Sequence, residues 1–297
     1  MPEDQAAPTP LTLGYSSCPN DTFMFHAMVS GRTPVAGMRW DVIMEDIEQL
    51  NQRAFRNAVD VTKISFHAYG QLRHRYVLLS SGAALGRGCG PLLVAGQEET
   101  RERLSDPGNS STRIAIPGWN TSATLLLRLY APHLKREQLV EMQFDRILAS
   151  TASGEVDAGL IIHESRFTYQ KHGLTSIVDL GEWWESEFDL EIPLGGIVAR
   201  RDLPVELIRG IDETLGQSVK YARSHPEDSR SYVCQHAQEM STEVQQAHID
   251  LYVNDFSVAL GEQGERAVRG FFNAAEERGI LPRYDGPLLA HELSDLG

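Results

Sequence analysis

The chain has 297 residues, enough for two lobes of about 100–150 residues each or one large α/β unit. Its 41% hydrophobic and 23% charged residues are ordinary for a soluble globular protein and exclude disorder over most of the length. Lys and Arg number 27 against 41 Asp and Glu, a formal charge of −14, so the long-range field repels nucleic acid and anionic membrane surfaces, and an anionic small-molecule partner needs local donors. No run approaches the ~18 apolar residues of a membrane span. Residues 1–10 show neither the basic nor the apolar region of an export signal. Cys18, Cys89 and Cys234 are odd in number and lack the paired spacing of a zinc or redox motif, so a reducing, cytoplasmic compartment is expected.

In chain order, residues 11–15 read as a first strand, followed by a helix that Asn20 or Asp21 caps and Gly31 stops. Residues 40–44 read as a second strand, with Ile47, Leu50 and Ala54 on the apolar face of the next helix. A third strand over 60–65 runs into 66–72, and apolar runs at 76–80 and 91–95 flank a glycine-rich bend at 82–90. That bend matches neither dinucleotide nor P-loop spacing. Residues 97–112 are polar loop and a lobe boundary. A fresh βαβ unit then begins, with a strand at 113–117, a turn at 118–122 and a helix at 123–130. Thr121 and Ser122 lie at that helix start, where they either cap it or hold an anion. A strand at 141–144 and a helix at 147–152 lead to a buried strand over 158–162. Further apolar runs fall at 177–180 and 194–199. Amphipathic helices are predicted at 204–224, 227–239, 242–253 and 262–278, and the last ~15 residues read as a loose tail.

Short alternating units of this kind predict an α/β fold built on parallel sheets with right-handed crossovers. The layout places one lobe at 11–95 plus 197–297 and a second, inserted lobe at 96–196, with a ligand cleft at the hinge. His163 leaves the carboxyl end of the 158–162 strand, the edge that borders the ligand crevice in open α/β sheets. The plainer alternative is a core histidine bonded to a backbone carbonyl. Residues 163–167 begin like the HExxH zinc motif, but Phe167 stands in the second histidine's place, so no metal site is expected. No nucleophile elbow or nucleotide fingerprint is visible, which leaves acid–base chemistry without a cofactor.

Several stretches taken together resemble a known family. They are residues 17–23 (SCPNDTF), Glu45-Asp46 with Leu50-Asn51, Thr62-Lys63-Ile64-Ser65, residues 85–88 (LGRG), residues 159–169 (GLIIHESRFTY) and Val253-Asn254 with Phe256-Ser257. In this order, over about 11–279, they resemble the 1,4-dihydroxy-6-naphthoate synthases of the futalosine route to menaquinone. The resemblance implies a two-lobed, type II periplasmic-binding-protein-like fold with a central ligand cleft, in a cytoplasmic, cofactor-independent enzyme, monomeric or homodimeric. It implies a lyase that converts cyclic dehypoxanthinyl futalosine to the dihydroxynaphthoate and a three-carbon fragment, dihydroxyacetone. His163 matches the family's catalytic histidine, and Lys63, Ile64, Ser65, Thr121 and Ser122 match its substrate contacts. Asn20 and Asp21, at the mouth of the sheet, complete the expected site. Ser17 stands where members often carry proline, and Ser122 replaces a threonine. The alternatives are a sister activity, chorismate dehydration, against which the Ile162-His163-Glu164 signature argues, and a plain solute-binding protein.

Overall fold

The computed structural model describes residues 9–35, 38–97, 99–106, 109, 111–237 and 241–296. Most of the stretch read for an export signal, and parts of those read as the 97–112 loop and the 227–239 helix, lie outside the described residues. The first segment runs β1 (Thr9–Tyr15), α1 (Pro19–Val29), β2 (Met38–Met44), α2 (Ile47–Phe55), β3 (Val61–Ser65), α3 (Phe66–Leu72), β4 (Tyr76–Leu78) and β5 (Ala84–Gly86). The middle runs β6 (Leu92–Ala95), α4 (Glu99–Ser105), β7 (Ile114–Ile116), α5 (Ser122–Tyr130), β8 (Leu139–Glu141), α6 (Phe144–Ala152), β9 (Ala158–Ile161), α7 (Ser165–Thr168), β10 (Thr175–Asp179) and α8 (Leu180–Phe188). Then β11 (Ile192–Arg200) is followed by α9 (Val205–Ser224), α10 (Pro226–His236), α11 (Thr242–Tyr252), α12 (Asp255–Val258) and α13 (Gly261–Glu277).

Two sheets form two lobes. The first has the order β2-β1-β3-β11-β4, with β5 also on β11; the second is β10-β6-β9-β7-β8. β1 is parallel to β2 and β3, but β11 runs antiparallel to β3, β4 and β5. In the second sheet β7 is parallel to β8 and β9, while β6 is antiparallel to β9 and β10. Both sheets are therefore mixed, where the sequence predicted parallel ones. A strand buried on both faces reads the same in either direction, so its apolar pattern carries no sign of orientation.

The pairing also moves the lobe edges. β6, expected in the first lobe, pairs in the second sheet, and β11 joins the first sheet from Ile192 rather than 197. Residues 99–105 form α4 where loop was expected, and the strand expected at 141–144 is β8 two residues earlier. Asn20 and Asp21 do not cap α1. Cys18 occupies the cap position and Pro19 starts the helix, its ring-fixed φ already helical, which moves both polar residues into the first turn. The end of the chain is not a loose tail. Leu288, Leu289 and Ala290 are buried, the Leu78 N–H donates to the Leu288 carbonyl at 3.0 Å, and Arg201 and Tyr69 donate to the carbonyls of Pro287 and Leu288. Three apolar side chains in a row supply that anchor despite the flanking proline and glycine.

Candidate functional site

The strand ends and helix starts of the two lobes face one another across a cleft of about 690 Å³, its open mouth included. Asn20, Asp21, Lys63, Ser65, Thr121, Ser122 and His163 all line it. Ile64 does not. Alternation along β3 sends Lys63 and Ser65 to the cleft face and the Ile64 side chain, wholly buried, into the apolar core beneath.

Lys63 and Asp21 form an ion pair, Nζ to Oδ1 at 2.8 Å, with side chains 6% and 2% exposed. Asp21 also accepts from the Ser16 hydroxyl at 2.7 Å, the Ser16 N–H at 3.2 Å and the Asn20 amide at 3.0 Å. The charge of Lys63 is thus balanced within the protein, and any ligand meets a polarised pair rather than a bare ammonium. Ser65 is fixed by Asn51, which donates to its hydroxyl and accepts from its N–H.

On the facing lobe, Thr121 caps α5, accepting from the Thr124 N–H at 3.2 Å and donating to the Gly118 carbonyl at 2.9 Å. The Ser122 hydroxyl donates to the Leu194 carbonyl at 2.6 Å. Both hydroxyls are therefore committed, the cap takes the Thr124 N–H, and the anion-binding capacity of this corner lies in the Ser122 and Ala123 N–H groups that open the helix.

His163 follows β9 in a left-handed conformation, φ +58°, which a non-glycine side chain adopts at a cost of about 1–3 kcal/mol. The turn aims a half-buried imidazole at the cleft, with the Phe144 ring edge-on at 5.0 Å and the His248 ring near-parallel at 6.2 Å. Among the described residues no hydrogen bond engages either ring nitrogen. Burial holds its pKa below the ordinary value, outweighing the nearby carboxylates of Glu164 and Asp21, so the ring is neutral at pH 7 with a lone pair to offer.

Sequence reasoning missed His248 and Tyr252, which line the cleft from α11. Their four-residue spacing puts them on one helix face and was the signal available. It also missed Arg166, which lines the cleft while tied to the Gly90 carbonyl at 2.5 Å and the Asp179 carboxylate at 2.6 Å.

Residues 11–277 match a family model described as menaquinone biosynthesis. A protein of Thermus thermophilus named 1,4-dihydroxy-6-naphthoate synthase is 50% identical over 279 residues, which covers 94% of this chain and 98% of that one. The chain belongs to the 1,4-dihydroxy-6-naphthoate synthase family. A family member of the same name from Streptomyces coelicolor is 42% identical over 283 residues, with 94% and 98% of the two chains covered. A crystal structure of an Archaeoglobus fulgidus protein superposes with a TM-score of 0.84 at 34% identity, covering 94% of this chain and all of that one. The periplasmic aliphatic sulphonate binding protein of Escherichia coli superposes at 0.63 with 13% identity, over 96% and 91% of the chains. This synthase-family chain therefore has the periplasmic-binding-protein-like fold. No helix among its described residues is long and apolar enough to cross a membrane.

Proposed function

We propose that the chain is a 1,4-dihydroxy-6-naphthoate synthase acting on cyclic dehypoxanthinyl futalosine, with His163 as general base. The observation that carries the reading is an unengaged imidazole held at the cleft by a strained backbone after β9, opposite the Lys63–Asp21 pair. His163 removes a proton from the substrate's carbocyclic system and starts the elimination and retro-aldol-like cleavage that release dihydroxyacetone. Aromatisation of the remaining ring drives the step. A base of this kind contributes ~10²–10⁴-fold, and a neutral ring at working pH suits the role. The substrate's carboxylate is held by the first-turn amides of α5, with the Lys63–Asp21 pair and Ser65 facing its oxygens. The reading takes the enzyme as cytoplasmic and cofactor-independent, and its free cysteines suit a reducing compartment.

The test is incubation of the wild type and His163→Asn with cyclic dehypoxanthinyl futalosine, following dihydroxynaphthoate by chromatography. Asparagine tolerates the left-handed backbone, so the variant keeps the local fold. Product from the wild type and a loss of ~10²-fold or more in the variant, with product binding retained, is the expected result. Equal rates remove His163 from its role. Binding without turnover in the wild type leaves a solute-binding protein instead.

A further inference from the structure

Beside His163 lie two polar atoms that the reaction as drawn leaves idle. His248 is 1% exposed, and its Nδ1 lies 3.8 Å from Oε2 of Glu164. Both atoms are buried, and neither has a hydrogen-bond partner among the described residues. Buried polar atoms in folded proteins are almost always paired, and these two are complementary: a ring N–H donates and a carboxylate oxygen accepts. A shift of about 1 Å turns the contact into a charge-assisted hydrogen bond. The partners belong to different lobes. Glu164 follows β9 in the second sheet, whereas α11 packs on α1 and β5 of the first. The position of one lobe against the other therefore sets this distance.

His248 also lines the cleft, and its Nε2 has no partner among the described residues. We propose that His248 is a second acid–base residue of the cleft, and that Glu164 positions it by holding its proton on Nδ1, which leaves the Nε2 lone pair for the substrate. The inference rests on the synthase reading above. In the retro-aldol step, the hydroxyl proton of the departing three-carbon fragment passes to Nε2 as that oxygen becomes a carbonyl oxygen. The electron pair of the breaking carbon–carbon bond moves through the ring system onto its conjugated carbonyl oxygen. That oxygen then takes the proton from Nε2, which forms an aromatic hydroxyl and returns His248 to neutral. The Glu164 carboxylate balances the imidazolium in between.

The charged or titratable groups facing His248 are Glu164, His163 and Lys63, with Tyr252 one turn along α11. Burial first, then His163 and Lys63, holds its pKa well below the ordinary value, consistent with a neutral acceptor. Two imidazoles this close do not carry charge together, so His163 has passed its proton to the oxygen expelled in the elimination before His248 takes one.

The experiment compares the wild type, His248→Asn, Glu164→Gln and the double variant in steady-state turnover. Long-range ¹H–¹⁵N spectra of the histidine-labelled wild type report the tautomer. His248→Asn is expected to lower kcat ~10²-fold or more with KM within about threefold, and Glu164→Gln to lower it about tenfold. The double variant is expected to be no slower than His248→Asn, because Glu164 acts only through that ring. The wild-type spectrum is expected to show His248 protonated on Nδ1. A kcat for His248→Asn within about threefold of wild type, multiplying effects in the double variant, or a proton on Nε2 overturns the inference. If His248→Asn does not fold, Glu164→Gln and the spectrum decide. A wild type that turns over no substrate refutes the synthase reading and the role of His248 with it; an active wild type with unaffected variants refutes this inference alone.

Discussion

Replacing Asp21 with asparagine strands the Lys63 ammonium inside the cleft wall. The pair is 2.8 Å apart and nearly inaccessible, and at an effective dielectric constant of about 20 its attraction is about 6 kcal/mol, much of it offset by the cost of desolvating both ions. The amide keeps one oxygen for Nζ, but its nitrogen cannot accept the two Ser16 donors that Oδ2 now holds. Breaking one half of a buried pair typically costs about 3–5 kcal/mol. Urea denaturation followed by tryptophan fluorescence reads this as a midpoint lowered by about 1–1.7 M, for a slope of about 3 kcal/mol/M. The double variant Asp21→Asn/Lys63→Met removes the stranded charge and is expected to regain about 2 kcal/mol over Asp21→Asn alone. An Asp21→Asn cost below about 1 kcal/mol, or a double variant as unstable as the sum of its parts, refutes the reasoning.

His67 is buried with Nδ1 on the Thr121 carbonyl at 3.3 Å, and burial lowers its pKa to about 4. The unfolded chain therefore binds the extra proton between pH 6.5 and 4, and stability falls through that window by about 2–3 kcal/mol at pH 4.5, a loss that His67→Asn is expected to remove from urea titrations at the two pH values. A Cβ on Gly90 would lie 2.4 Å from the backbone of Gly181, which cannot give way as a flexible side chain would. Gly90→Ala is accordingly expected to cost about 1–3 kcal/mol by thermal melting and to weaken turnover through Arg166, which holds the Gly90 carbonyl. Thr121→Val removes the cap of α5 and is expected to cost about 1 kcal/mol, with substrate affinity falling alongside; unchanged affinity in a binding titration removes this corner from the anchoring site.

The elements were legible wherever apolar spacing was strong. β1, β3, α2 and α9 fall within two residues of their predicted spans, because each presents one clear period to one core. Direction was not legible. β11 returns antiparallel between β3 and β4, and nothing in its apolar run records which way it goes. His163 stood out because a glycine and β-branched run ends on it, and that ending is a local fact. His248 did not, because what makes it notable is Glu164, 84 positions away in the sequence and brought close only by the meeting of the lobes. Lys63 was placed at the cleft only by the family resemblance, which brought Ile64 with it, and its commitment to Asp21 required the fold.

The strand order of the two sheets also sets a schedule for synthesis. The second sheet is complete once β10 has emerged, since β6 to β10 are contiguous in the chain. The first sheet begins earlier and finishes later: β1 to β5 wait for β11, and β4 gains its contact with Leu289 only near the end of translation. At about 5–20 residues per second, the stretch from the end of β3 to the end of β11 takes roughly 7–27 s, and during that time the edges of β3 and β4 stand unpaired while the inner lobe is being made. The half of the molecule that carries Lys63 is thus the half with the longest exposure before it is sealed, and the one a nascent-chain chaperone has most reason to meet.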